Sequence, residues 1–441
     1  MKDSPQHYRT PHGVVHVSSA AIEAQWVHHF ALDNGLQVLL WPDSQAPVVA
    51  YQTWFKVGSA DEQPGRTGMA HLFEHLMFKE TKNREAGVFD RLLESNGIET
   101  NAATWLDWTY YKESLPSQHL ELVMELEADR MENMLLSQAQ LDTERDVVIN
   151  ERLLRVDNDP EGLASERLFH LHFGRHPYGH PTIGWMDDIK AITIEDCFAF
   201  HKRYYGPENA ILVLCGDLDV GNVLELLYKY YGAIPRGAGG RVASRSRVAL
   251  AGGWEVLHLP VNMSKVMLLY PAPKANEGQA MVMRVAGELL WGAESSLLRE
   301  SLIHRRQLLY DMGAYHVALR LAGALELQLN LAPEVEPDEA LETMHRTLKR
   351  FLKAGIGEEE LQGAKNRVEM AYLRSLLHTG SRARGLGHTV TTIGDWRRLS
   401  KMRQLLAAVT APQCLEIVKT TLVESRPTRV DVTPQAEGGA L

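Results

Sequence analysis

Hydrophobic and polar positions alternate along the chain in short blocks of two different periods, which predicts a mixture of strands and helices. After a polar lead, Leu36–Trp41 reads as a strand closed by Pro42-Asp43, and Val48–Val57, rich in Val, Tyr, Trp and Phe, as a second. Gly58 to Gly68 reads as a polar loop. Helical spacing follows from about Met69 to Phe78, from Leu120 to about Leu136 and from Leu141 to Arg155, where Asp157-Asn158-Asp159-Pro160 stops the pattern. Glu195–Tyr205 is helical, Asn209–Cys215 is an apolar strand, and Val223–Tyr230 is a short helix.

The pattern then lapses. Gly232 to Gly253 is rich in glycine and arginine, has no acid and shows no period until its end, so it reads as an interdomain linker. Strands resume at Trp254–Leu259 and Lys265–Tyr270, followed by helices at Gln279–Trp291 and Ser296–Arg306, a strand at Ala324–Leu331, and long helices around Asp338–Ala354 and Glu358–Leu377. Each half runs strands, helix, strands, long helices, like a weak duplication of one α+β unit. The expected organisation is residues 1–232, a linker at 233–253, and residues 254–441.

A length of 441 residues fits two large domains. Lys and Arg number 46 against 56 Asp and Glu, and the net charge of −10 argues against a dedicated nucleic-acid or anionic-membrane binder. No apolar run approaches the roughly eighteen residues of a membrane span. Cys197, Cys215 and Cys414 are odd in number and far apart, which fits neither a disulfide framework nor a Cys-rich metal site. Met1–Thr10 has no apolar core of an export signal, so the expectation is a cytoplasmic protein, or a periplasmic one if a leader has been removed.

The chemistry concentrates in Gly68–Phe78, which contains His71-Leu72-Phe73-Glu74-His75. On a helix His71 and His75 lie one above the other, and Glu74 falls within about 100° of arc of both. Two imidazoles at that spacing reach one zinc ion. Leu72, Phe73, Leu76 and Met77 fill the opposite, core-facing arc. Read from these residues alone, the pattern equally describes two surface histidines flanking a solvated glutamate. A catalytic metal needs a third protein ligand. On Leu141–Arg155, Glu144 and Glu151 share one face with Val147 and Val148 between them, and Leu141 and Leu154 extend the stripe. A carboxylate on an apolar stripe is costly unless a cation pairs with it, though both could also reach solvent along a half-exposed stripe. The pairs His28-His29 and His176/His180 read as structural: the first cannot share a helix face, and prolines and glycine break the second.

His71-Leu72-Phe73-Glu74-His75, followed 76 residues later (151 − 75) by Glu151, resembles the inverzincin motif of the pitrilysin/insulin-degrading-enzyme family of zinc metallopeptidases. Val57–Glu62, Asn101–Thr104, Asp107–Tyr111, Glu144–Glu151, His176–His180 and Gly216-Asp217 resemble further family segments, and the likeness runs from about residue 25 to 435. The length is similar to the short clade, which includes mitochondrial processing peptidase subunits and bacterial relatives, where one chain is half of a clamshell. The resemblance implies an α+β fold of two similar domains, each a mixed sheet with packed helices. It implies one Zn2+ per chain held by His71, His75 and Glu151, Glu74 as general base, and Glu144 orienting a ligand histidine. It also implies an edge strand at Asn101 and Ala102 that pairs with peptide substrates.

The family also places an Arg and a Tyr, seven residues apart, opposite the zinc. Here the tyrosine is Tyr310, but the arginine position is Ile303, and Arg305 and Arg306 lie on other faces of a helix. The leading expectation is therefore a peptidase subunit completed by a homologous chain carrying that Arg/Tyr pair, as a heterodimer. The alternatives are a self-sufficient homodimer using Tyr310 alone or a shifted arginine, and a non-catalytic scaffold of the same fold.

Overall fold

The computed structural model describes residues 8–237, 239–241 and 250–435, so most of the expected linker's centre (238 and 242–249) lies outside the described residues. The chain forms two compact units. The first comprises Met1–Asn150, Thr182–Ala243 and Arg374–Ser400; the second comprises Glu151–Pro181, Ser244–Leu373 and Lys401–Leu441. Each unit thus draws on both halves of the sequence, an exchange that a division into 1–232 and 254–441 does not contain.

The first unit is built on one sheet of β1 (Val14–Ile22), β2 (Gln25–Leu32), β3 (Gln37–Pro42), β4 (Val48–Phe55), β5 (Glu99–Thr104), β6 (Thr109–Pro116) and β7 (Ala210–Gly216). The strand order is β1-β2-β3-β7-β4-β6-β5, with β3 and β7 parallel and the other neighbours antiparallel. Both faces are covered. On one, Phe30, Leu40, Tyr51, Phe55 and Tyr111 pack with Leu72 and Phe73 of α1 (Met69–Leu76), Phe89 of α2 (Val88–Ser95) and Val123 of α3 (Leu120–Asn133). On the other, Trp41, Trp54, Tyr110 and Val213 pack with Ala383 and Leu386 of helix Thr379–His388 and with Trp396. This is why β7 reads as continuously apolar and why even Gln52 and Thr53 of β4 are buried. Gly387 lies where that helix meets Trp54, and a Cβ there would come within 2.1 Å of the indole.

The second unit has β8 (Trp254–Leu259), β9 (Lys265–Ala272), β10 (Leu309–Ala318), β11 (Gly323–Leu331) and β12 (Thr428–Pro434) in the order β10-β11-β9-β12-β8, with β12 and β8 parallel. Its core joins Leu268, Leu325 and Leu327 to Val285, Leu302, Met344 and Val418 from the surrounding helices. The α+β class and the two-sheet architecture match the sequence reading.

Three local readings are corrected. The polar lead holds the β1–β2 hairpin, where Val15 and Val17 are exposed while His28 is buried, so polarity does not mark its faces. Ser296–Arg306 is not one α-helix but a short turn, Leu297–Arg299, followed by a wider π turn at Glu300–Arg305. Leu154 and Val147 are 74% and 43% exposed, so the stripe beside Glu144 and Glu151 is only half-buried, with Leu141 and Val148 inside.

Candidate metal centre

Helix α1 begins where the loop from Gly58 needs a sharp reversal. Gly68 has φ 89°, and a Cβ on it would lie 2.5 Å from the Ile183 carbonyl, so only glycine fits. Glu62 then caps the helix, accepting from the backbone N–H of Gly68 at 2.9 Å and of Ala70 at 2.7 Å. Ala70, Leu72, Phe73 and Leu76 are buried, which turns His71, Glu74 and His75 to the opposite side.

Facing them is α4 (Gln138–Arg152), which belongs to the first unit through Asn150 and continues unbroken into Glu151 and Arg152. His71, His75 and Glu151 each bring one ligand atom within 4.8 Å of the others, and no other such group occurs among the described residues. The two imidazole rings are 4.9 Å apart and inclined at 68°. Ligands around one tetrahedral ion are separated by about 3.4 Å, so small rotamer adjustments close the set, and two imidazoles with one carboxylate are a donor set suited to zinc. The residues present fit that metal. Glu151 also receives an ion pair from Arg155 one turn later at 3.0 Å, and that arginine is 75% exposed, so the pair is easily released.

Glu144, two turns before Glu151, is nearly buried. One of its oxygens lies 3.5 Å from His75 Nδ1, the other 2.7 Å from Lys79 Nζ. Burial pushes the Glu144 carboxyl up, but the donors at His75 and Lys79 outweigh this and hold it below its ordinary value. Glu144 is therefore an anion aimed at the ring nitrogen of His75. Lys79 was not singled out from the sequence; it lies past the end of α1 at Leu76, where helical spacing gives no signal.

A second tie reaches α1 from the sheet. Tyr111 is fully buried and donates its hydroxyl to the Phe73 carbonyl at 3.1 Å. Burial raises the pKa of that hydroxyl far above its usual value, so it stays a neutral donor. The Arg130 guanidinium sits 4.3 Å over the same ring and bonds Glu127 at 2.6 Å.

Directly opposite Tyr111 in the sheet is Ala102. Asn101 and Ala102 lie on β5, the end strand of the sheet, which pairs only with β6 among the described residues. The Ala102 N–H is donated to the Asn101 side-chain oxygen at 2.8 Å. Tyr310 lies in the second unit on β10, also an end strand, and is 72% exposed. Ile303 packs partly buried against the second core, and Arg305 pairs with Glu300 at 2.7 Å. His28 bonds Ser19 and Tyr8, and His172 bonds Thr428, all structural partners.

Comparison with known proteins gives a consistent picture. Residues 37–184 match the model of the insulinase family (peptidase family M16), and residues 191–368 match the model described as the peptidase M16 inactive domain. A Helicobacter pylori protein named zinc protease PqqE is 30% identical over 362 residues, covering 78% of this chain and 79% of that protein. An uncharacterized zinc protease of Mycobacterium leprae is 28% identical over 391 residues, covering 87% and 86%. Among solved structures, a protease from Helicobacter pylori superposes with a TM-score of 0.87 at 26% identity, covering 94% of this chain and 100% of that one. A putative M16-like peptidase from Alicyclobacillus acidocaldarius shares the fold, with a TM-score of 0.84 at 20% identity and coverage of 94% and 100%. Among the described residues no single helix is long and apolar enough to cross a membrane.

Proposed function

Because this chain belongs to the insulinase family, peptidase family M16, we propose that it is a zinc-dependent endopeptidase subunit acting on extended peptides. The observation that carries this reading is the convergence of His71, His75 and Glu151 beside an open sheet edge, with Glu74 on the same helix side.

In this reading His71, His75 and Glu151 hold one zinc ion, and Glu144, fixed by Lys79, orients His75 through its Nδ1–H. The bound metal supplies Lewis-acid activation of a water and of the scissile carbonyl. The Glu74 carboxylate accepts the proton of the attacking water and returns it to the leaving amine. The β5 edge takes the substrate as an added strand, whose carbonyl replaces the Asn101 oxygen at the Ala102 N–H. Backbone pairing reads shape more than sequence, so unfolded peptides are the expected substrates.

Ile303 offers no donor to the developing oxyanion where the family resemblance places a cation. Losing one such donor costs on the order of 10²–10³ in rate. We therefore assign the missing donors to a homologous partner chain with an intact Arg/Tyr pair. Zinc analysis with mixing tests both parts. About one zinc per chain, lost in His71→Ala, is expected, with weak hydrolysis by the single chain and maximal hydrolysis near one-to-one mixing. Absence of zinc binding would overturn the metal assignment; full activity of the lone chain at low concentration would overturn the partner.

A further inference from the structure

The face of the first sheet turned away from α1 is covered by helix Thr379–His388. The stretch Ser375–Gly394 contains Arg382, Arg384, His378 and His388 and no Asp or Glu, in a chain whose net charge is −10. One arginine of the helix is neutralised: Arg382 pairs with Asp43 at 2.5 Å. The other is not. Arg384 is exposed and makes no hydrogen bond or ion pair among the described residues. One turn on, the His388 ring meets the Trp108 ring edge-on at 6.4 Å, at the start of β6.

The helix lies over β4 and β7, and its His388 end reaches Trp108, just before β6 and next to the end strand β5. Tyr110 of β6 stacks on Trp54 at 4.2 Å, under the same helix, and its strand partner is Ala103 of β5. Burial raises the Tyr110 hydroxyl's pKa; Arg384 opposes that rise and Glu74 adds to it, so the hydroxyl lies in the fields of both groups. Successive β5 residues take opposite faces: Ala102 packs with the α1 core, Ala103 with the Trp54 and Tyr110 cluster.

We propose that Arg384, with His388 and Trp108 beside it, forms a subsite for acidic side chains of a peptide lying along β5. The inference rests on the strand-addition reading above. A strand added to β5 lies about 4.8 Å beyond it and sends alternate side chains to each face. One set faces the metal helix; the other faces helix Thr379–His388, where the unmatched cation is. An exposed charge acts over roughly one Debye length, about 8 Å at physiological salt. Trp108 adds an aromatic wall for the aliphatic stem of a glutamate.

The test uses the zinc-loaded Glu74→Gln chain and fluorescein-labelled extended peptides that differ only in carrying Glu or Gln at alternate positions, read by anisotropy. The Glu peptide should bind about three- to tenfold tighter, as expected for one partly screened charge pair. Arg384→Gln should equalise the two peptides, and Arg384→Glu should favour a Lys peptide. Because Arg384 is exposed, circular dichroism of both variants should match the parent. Equal binding of the Glu and Gln peptides by the parent would overturn the acidic subsite while leaving strand addition standing. Persistent preference in Arg384→Gln would overturn the assignment to this residue. Failure of every peptide to bind would overturn the strand-addition reading and the subsite with it.

Discussion

Glu144→Gln isolates the orientation of His75 from the ligand set itself. The carboxylate faces two donors, Lys79 Nζ at 2.7 Å and His75 Nδ1 at 3.5 Å. A glutamine of the same size has one acceptor oxygen and one NH2. If the oxygen faces Lys79, the NH2 is set against the N–H of His75; if it faces His75, the NH2 is set against an ammonium. The shorter contact decides, so the amide oxygen stays on Lys79 and His75 loses its acceptor. A hydrogen bond to a charged group contributes about 1.5–3 kcal/mol, and loss of such a partner lowers metal affinity by about 10–100-fold. The assay is competition for zinc against a chelating indicator, with circular dichroism to show that the helices persist. Zinc affinity within about threefold of the parent would refute the orienting role and leave Glu144 as a structural partner of Lys79 alone.

Three further outcomes follow from the same geometry. Glu74→Gln should keep zinc but lose nearly all peptide hydrolysis in the reconstituted pair, since an amide cannot take the water's proton; hydrolysis at the parent rate would remove Glu74 as the base. Gly387→Ala should lower the urea midpoint, because its Cβ would meet the Trp54 ring at 2.1 Å and overpacking costs about 1–3 kcal/mol, more than the ~1 kcal/mol that alanine adds to helix propensity. Gly380→Ala in the same helix has open space and should be neutral or stabilising, so equal midpoints for the two variants would refute the packing argument. Burial lowers the pKa of His172, helped by His176, and of His201, each from 6.5 to about 4. The folded form therefore keeps both neutral: their contribution is complete above the unfolded value near 6.5 and is lost as pH falls toward about 4. Urea midpoints that stay level across that window would contradict it, and His201→Phe should flatten part of the slope.

The elements legible in the sequence are those whose burial is unambiguous. Ala210–Gly216 is apolar on both sides and Val48–Phe55 is mostly so because both faces of the sheet are covered, and α1 shows its polar and apolar arcs within two turns. The β1–β2 hairpin was not legible, because His16 and His28 both bond Ser19 and His29 bonds Gln37, so polar residues turn inward while Val15 and Val17 are exposed. The return of Arg374–Ser400 to the first unit was equally hidden: it depends on long-range packing of Ala383 and Leu386 against Trp54, which no local period records. The helical reading of Ser296–Arg306 failed on the π turn, since propensity does not distinguish i+4 from i+5 spacing. In the candidate site His71 and His75 were legible from helical spacing, and Glu151 through the family resemblance; the three converge. The sequence reading missed Arg384, whose relevance comes only from a helix brought across the sheet from some 280 residues away (384 − 102 = 282).

The same few buried groups set both the strand edge and the metal helix, and this constrains how the site can vary. Tyr111 pairs with Ala102 across the sheet and holds the Phe73 carbonyl between His71 and Glu74. Arg130 covers the Tyr111 ring and bonds Glu127, which accepts from Thr53 of β4 at 3.1 Å. Two residues along, Glu113 of β6 is buried opposite Thr100 of β5 and lies 3.9 Å from Arg130. Burial first, and then Glu127, raise the Glu113 pKa strongly against the pull of Arg130, and that one cation faces both carboxyl groups. Breaking such a set by removing one member leaves an unpaired buried charge, costing about 3–5 kcal/mol. A shift of the strand edge relative to α1 would have to break it. In the proposed reading, the distance between a peptide added to β5 and Glu74 is thus fixed by the core of the first unit rather than by the loops that join its strands.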